Sequence, residues 1–175
     1  MSIIKTKRLT LRPIRVDDAP AIVKLADDFE IARQTATMPF PFILDDAENW
    51  IASLADTGEV VFSITAGGQV MGKASYKPIE PGLVEISYWL GREYWGYGFA
   101  TEAANGVLDA IFYDHEVSTV IAVHADDNPT SKRVIEKLGF QLVGETEHYS
   151  LARDEDVPCL LYQMDREHYF TRYST

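Results

Sequence analysis

The chain has 175 residues, 46% apolar and 25% charged, the balance of an ordinary globular protein, and its length allows roughly 70% of the unfolded surface to be buried. A formal net charge of −11 leaves no basic surplus to displace counterions from a nucleic acid and favours cationic partners instead. No apolar run approaches the roughly 20 residues that cross a bilayer, and the opening MSIIKTKRLTLRP lacks the continuous hydrophobic stretch of a secretory signal, so no membrane association and a cytoplasmic location are expected.

In chain order, residues 9–13 read as a first strand and 17–26 as a helix capped by Asp17 or Asp18. Residues 27–44, with Pro39, Phe40, Pro41 and Phe42, read as a short second helix followed by a loop. DDAENWIASL, 45–54, predicts a helix in which an Asp cap is matched by Glu48 three residues on, burying Trp50, Ile51 and Leu54. Strands follow over 60–65 and 70–76, joined by the hairpin turn Ala66, Gly67, Gly68 and Gln69. Next come a strand over 84–90, a helix over 99–113, a strand over 119–123, a helix over 130–138, and closing strands over 141–148 and 157–164. With no repeat, linker or low-complexity tract, the chain reads as one α/β domain over 1–175, a mixed and mostly antiparallel sheet of about six to seven strands with helices on both faces.

The most informative segment is YWLGREYWGYGFATE, where the apolar VEISYWL runs through Gly91, Gly96 and Gly98 into the helix formers TEAANGVLDAIF. Strand, glycine turn and helix in that order make an anion cradle, because free backbone N–H groups and the positive end of the helix dipole converge. The glycines let the backbone approach phosphate oxygens and adopt dihedrals that side chains forbid. Gly91 and Gly96 have Walker A spacing, but Tyr97 and Gly98 stand where that loop needs Lys and Ser or Thr. A Rossmann pattern begun at Gly96 lacks its third small residue at Thr101 and lies halfway along the chain. A plain helix-entry turn is the third reading. A second strand-to-helix unit follows in TVIAVHADDNPTSKRVIEKLGF, where Asn128 suits the N-cap, Pro129 the first helical position and Gly139 the stop.

These two segments together, E-I-S-Y-W-L-G-x-x-Y-W-G-Y-G-F-A-T-E-A and, some thirty residues on, N-P-T-S-x-x-x-x-x-x-L-G-F, resemble the acetyl-CoA-binding core of the GNAT family of N-acetyltransferases. The opening T-K-R-L-T-L-R-P is similar to the first strand of the branch that acetylates protein N-terminal amines, the ribosomal-protein (RimJ/RimL) type. The resemblance runs from residue 6 to about 164. It implies acetyl-CoA as co-substrate, no metal, and transfer in a ternary complex to a primary amine, either a peptide N-terminus or a small cationic amine. The protein is then a monomer or a homodimer. A module that binds acyl-CoA without catalysis, or an enzyme for small amines or antibiotics, are the competing readings.

Amide formation from a thioester needs a neutral amine, support for the oxyanion and a proton for the thiolate. Glu85 alternates with the aliphatic Val84, Ile86 and Leu90, so it lies on the opposite strand face, where partial burial would raise its pKa and make it a base near neutrality. The resemblance assigns that role to the glutamate of E-I-x-Y-W, and assigns the oxyanion to N–H groups freed by a bulge near Tyr88, Trp89 and Leu90. It places the coenzyme against Tyr94, Trp95, Gly96, Tyr97, Gly98, Phe99 and Ala100, with Asn128 on the pantetheine arm. Ser131 becomes the proton donor to sulfur, since Ile135 stands where many relatives carry a tyrosine; its structural alternative is a helix cap. Glu93 replaces the Gln or Arg of many relatives and must turn outward. Tyr94, Trp95 and Tyr97 either cover the coenzyme or pack the loop, while Arg92, Lys132 and Arg133 are candidates to reach its phosphates. The region 29–42 is expected to wall the acceptor cleft. Cys159, in the apolar VPCLLYQM with no basic neighbour in sequence, reads as a core thiol, and His115, His124, His148 and His168 show no metal-ligand spacing. Asp126 and Asp127 read as a solvated loop. So do Asp154, Glu155 and Asp156, which by the resemblance border the acceptor cleft.

Overall fold

A computed structural model of the protein describes residues 2–113 and 116–172. The strands are β1 (Ile4–Lys5), β2 (Thr10–Pro13), β3 (Val60–Ala66), β4 (Gln69–Glu80), β5 (Leu83–Leu90), β6 (Thr119–Ala125), β7 (Gln141–Ser150) and β8 (Glu155–Asp165). The helices are α1 (Ala19–Ala26), α2 (Phe29–Ala32), α3 (Leu44–Thr57), α4 (Phe99–Tyr113), α5 (Pro129–Lys137) and α6 (Arg166–Thr171). Among the described residues one sheet holds all eight strands in the order β1, β2, β3, β4, β5, β6, β8, β7. Every neighbouring pair is antiparallel except β5 and β6. That pair is parallel because α4 carries the chain back across the sheet between them. The strand count is one above the upper expectation. The addition is β1, two residues long and so too short to show alternation, which pairs Ile4 with Leu11. The other unforeseen element is α6, six residues held by the stacking of Tyr169 on Phe112 with ring centroids 4.6 Å apart.

Alternation along β5 divides the core. Val84, Ile86 and Leu90 join Ala103, Val107 and Leu108 of α4 and Ile135 of α5 in one cluster, while Trp89 faces the other way into a second cluster built by α1, α2 and α3. Helices therefore cover both faces, and each fully buried aliphatic contributes about 1.5–3 kcal/mol of transfer free energy. The hairpin between β3 and β4 turns at Gly67 and Gly68, both with positive φ, as a two-residue turn matching strand twist requires.

Two helix starts differ from expectation. Residues 16–18 form a single 3-10 turn before α1, and Asp18 holds the N-cap position of α1 but makes no side-chain cap bond there: the buried carboxylate accepts both Arg12 guanidinium nitrogens at 2.6 and 2.7 Å, Ser63 Oγ at 2.7 Å and the Arg15 N–H. Burial pushes its pKa up, but these bonds outweigh that and hold it below the usual carboxylate value. At α3 it is Asp46 that accepts the Ile43 N–H, rather than an Asp45 and Glu48 pair, and the buried residues are Ala47 and Ile51, with Trp50 and Leu54 only half-buried.

Candidate active site

β5 and β6 stay paired only from Leu83 opposite Thr119 to Ile86 opposite Ala122. Beyond that, β5 follows β4 until Leu90 faces Gly72, and β6 follows β8 until Ala125 faces Cys159. The strands part like a fork, and a cleft of about 1090 Å³ opens there. The Gly91 N–H donates to Met71 O at 2.9 Å. Because bonded positions alternate along an antiparallel pair, Ser87 and Trp89 also address β4, whereas the N–H groups of Tyr88 and Leu90 point into the fork. The expected bulge is absent: the β4–β5 register shifts only between Pro78 and Glu80, at the far end. Strand divergence, not a bulge, frees the donors, and Trp89 is not among them.

The glycine turn and α4 form one wall of the cleft. Gly96 and Gly98 have φ of 83° and 79°, and a Cβ built at Gly96 meets nothing within 4 Å. The conformation, not crowding, requires glycine there. The first backbone bond into α4 runs from Glu102 N to Gly98 O, so the N–H groups of Phe99, Ala100 and Thr101 lack helical acceptors on a wall that all three line. Tyr94 and Trp95 also line it, and Trp95 Nε1 donates to Leu90 O at 2.8 Å, tying the turn to the fork. Tyr97 does not line it: the residue is 64% exposed. Its carbonyl accepts Arg8 Nη1, and Arg8 also binds Glu102 at 2.6 Å and lies over the Phe99 ring. Arg8 thus anchors the turn from the start of the chain, a link across 94 residues that the local pattern around the glycines gave no sign of.

The second wall is α5. Asn128 Oδ1 accepts the Ser131 N–H at 3.0 Å, so Asn128 is the cap and its Nδ2 has no partner among the described residues. Ser131 is thereby released from capping, and its Oγ lies 3.1 Å from the hydroxyl of Tyr88, reaching over from β5. Burial pushes the Tyr88 hydroxyl to about 12, so it stays protonated at any physiological pH. Ile135 is buried and carries no proton.

On the opposite face of β5 lie Glu85 and Ser87, beside a cluster the sequence reading missed. Lys73 Nζ donates to Ser87 Oγ at 2.7 Å, Ser75 Oγ at 2.8 Å and Glu59 Oε1 at 3.3 Å, and Ser75 Oγ donates to the same Glu59 oxygen at 2.6 Å. Burial lowers the Lys73 pKa against the pull of Glu59. Burial raises that of Glu85; Lys77 and Lys73 oppose this and Glu59 reinforces it. The signal was available in parity: Lys73 and Ser75 are two residues apart on one face of β4, but only the β4–β5 register brings them opposite Trp89 and Ser87.

The outer wall comes from the segment after α2, where Gln34, Met38 and Phe42 line the cleft as expected of that region. Asp127, read as solvated, instead clasps it: Arg33 binds Asp127 at 2.7 Å and Arg153 binds it twice at 2.9 Å, while Ser150 and Leu151 donate to the carbonyls of Thr35 and Ala36. Asp154, Glu155 and Asp156 are exposed and do not line the cleft. Arg92 pairs with Asp28 and Lys132 with Glu136; of the three basic candidates only Arg133 lines the cleft. Glu93 is exposed, outside the lining. Cys159 does gain a basic neighbour across the strands, His148 Nδ1 at 3.1 Å, yet burial still raises its pKa, which leaves it an inert core thiol. His124 bonds Ala125 O and Tyr162, His168 bonds Gly139 O, and His115 lies outside the described residues. Among the described residues no cluster of His, Cys, Asp and Glu suits a metal, and no helix is long and apolar enough to cross a membrane.

A family model described as the acetyltransferase (GNAT) domain matches residues 8–141. The chain belongs to the GNAT family. It is 28% identical over 176 aligned residues to the uncharacterized N-acetyltransferase p20 of Bacillus licheniformis, covering 97% of this chain and 99% of that one. Its fold matches RimJ of Mycobacterium smegmatis, solved with a coenzyme A disulfide, with a TM-score of 0.84 at 20% identity over 99% and 95% of the two chains. It also matches RimL, a ribosomal L7/L12 α-N-protein acetyltransferase solved with coenzyme A, with a TM-score of 0.81 at 16% identity over 95% and 99%. This GNAT protein is an acyltransferase that uses acetyl-CoA as co-substrate for N-acetyl transfer.

Proposed function

We propose that this GNAT enzyme passes acetyl directly to the α-amine of a protein or peptide, with Glu85 as base and Ser131, backed by Tyr88, as proton donor. The observation carrying this reading is the fork itself. It sets a carboxylate on one face of β5 and a pair of hydroxyls on the other, with two unpaired N–H groups between them. Glu85 takes a proton from the incoming ammonium, directly or through a water. The N–H groups of Tyr88 and Leu90 receive the oxyanion as nitrogen bonds to carbon. When the carbon–sulfur bond breaks, Ser131 gives its proton to the thiolate and is reprotonated through Tyr88, which takes up in turn the second proton lost by the acceptor nitrogen, so both hydroxyls end protonated and the proton held by Glu85 leaves to solvent. Gly96, Gly98, Phe99 and Ala100 offer backbone amides to the diphosphate, and Asn128 Nδ2 is left for the pantetheine arm.

A peptide acceptor is favoured by the cleft volume of about 1090 Å³, by its Met38, Phe42 and Trp50 lining, and by the α-amine acetyltransferase activity of RimL. Thiol release from acetyl-CoA, followed with free-N-terminus peptides, polyamines and aminoglycosides, tests the assignment. Peptides should give the highest kcat/KM and blocking their α-amine should abolish it. A polyamine or aminoglycoside outrunning every peptide would overturn the acceptor class.

A further inference from the structure

The Lys73 cluster takes no part in the chemistry above, yet it lies inside the cleft on the same sheet face as the base. In the β4–β5 ladder Lys77 faces Glu85 and Ser75 faces Ser87, so one face carries, in sequence along the sheet, the Lys77 and Glu85 pair and then the two serines. Lys73 lays its side chain along that row and fixes its ammonium on both serine hydroxyls. Adjacent same-face positions on a strand are about 7 Å apart, which puts the ammonium within Coulombic reach of the Glu85 carboxylate. Glu59, at the end of the α3–β3 connection, meets the same ammonium and the Ser75 hydroxyl.

We infer that the Lys73–Glu59 pair is a positioning device for Glu85, with Lys73 holding the carboxylate charged and ready for the amine and Glu59 limiting that effect. The inference rests on Glu85 being the base. Physically, a carboxylate moved out of water without a compensating charge would protonate and lose its function. A fixed ammonium prevents that, but a bare ammonium would make the carboxylate too weak a base and would repel the cationic acceptor. A second carboxylate behind the ammonium cancels most of its charge at distance while leaving a local gradient. The serines hold the ammonium where its attraction acts on Glu85 without closing a direct ion pair that would occupy the base.

The other groups around Glu85 do not substitute for this pair. Lys77 is directly opposite and attracts the carboxylate more than Lys73 does, but it is exposed, so water and salt screen it more strongly than the buried ammonium. On β6 the residue opposite Glu85 is the uncharged Ile121, and His124, beyond the fork, bonds Ala125 O and Tyr162. Lys73 and Glu59 are the charges near Glu85 with less than a quarter of their side chains exposed.

The test reads the carboxylate itself and needs no acceptor. Protein labelled with glutamate ¹³C at Cδ is titrated by NMR, with the Glu85 signal assigned by its loss in Glu85→Gln. Lys73→Met should raise the Glu85 midpoint by about one pH unit, Glu59→Gln should lower it, and Lys73→Arg should restore the wild-type position. Opposite signs are the diagnostic, since a general loosening of the fold moves both midpoints the same way; if Lys73→Met fails to fold, Lys73→Gln supplies the raised midpoint in its place. No shift, or shifts of one sign, overturns the inference. The acid limb of kcat/KM, measured with acetyl-CoA and an N-terminal-alanine pentapeptide, should move in parallel. If the midpoints separate as stated but the limb persists in Glu85→Gln, the base assignment fails while the electrostatic one stands.

Discussion

The two faces of β5 handle charge in opposite ways. Toward α4 and α5 the chain offers mainly uncharged groups, backbone amides, the Asn128 carboxamide and the Tyr88 and Ser131 hydroxyls, beside the lining residues Arg133 and Lys137. Toward α3 and β4 it offers Glu85, Glu59 and Lys73. The difference follows from the molecule's net charge. In a protein at −11, an anionic ligand is best met by dipoles oriented at close range, while a cationic one is drawn by the global field and needs only local carboxylates.

If that division is real, breaking one face should leave the other intact. The largest effect is expected at the support of the charged side, where Asp18→Asn leaves Arg12 unpaired and should cost about 3–5 kcal/mol of stability by denaturant unfolding. Because the folded pKa of Asp18 is depressed, its contribution is present above the unfolded value near 4 and fades as pH falls through the folded value. The same variant above pH 4 should bind acetyl-CoA normally while folded. Next, Glu85→Gln should lower kcat/KM at pH 7 by about 10²–10³-fold and leave the acetyl-CoA Kd from calorimetry unchanged. In the unsubstituted enzyme the acid limb should lie above the ordinary glutamate value of 4.5, since burial raises the Glu85 pKa and the base is lost as pH falls through it. A limb below that value would place Glu85 outside the chemistry.

On the neutral face, Gly98→Ala forces a side chain into φ of 79° and should weaken acetyl-CoA binding by about tenfold, at about 1–2 kcal/mol of backbone strain, without moving the pH limb. The smallest effect sharpens the comparison most. Tyr88→Phe should slow turnover by roughly tenfold, as expected for losing part of a proton-transfer path. The deficit should shrink with acetyl thioesters of more acidic thiols, which leave without a proton. A deficit independent of the leaving group would make Tyr88 only a prop for Ser131.

Much of this arrangement was legible in order along the chain. The alternation of VEISYWL placed Glu85 away from the aliphatics, the glycines marked the turn into α4, and Asn128, Pro129 and Gly139 marked both ends of α5. These signals are local: each depends on a residue's own backbone preference or on a period of two. What was missed is non-local. Arg8 reaches Glu102, Lys73 reaches Ser87, and Asp127 gathers Arg33 and Arg153 across intervals that no window spans.

The sequence by itself determined the class of fold, the family and the strand that carries Glu85, because periodicity and turn chemistry are properties of neighbouring residues. Only the tertiary structure decided that free N–H groups come from strands parting rather than from a bulge, that Asn128 caps α5 so that Ser131 is free to meet Tyr88, and that a lysine and a glutamate meet beside Ser87 on the Glu85 face. Those outcomes depend on where β6 leaves β5 and on the register of β4, which are set by the packing of helices on both faces and by no single segment of the chain.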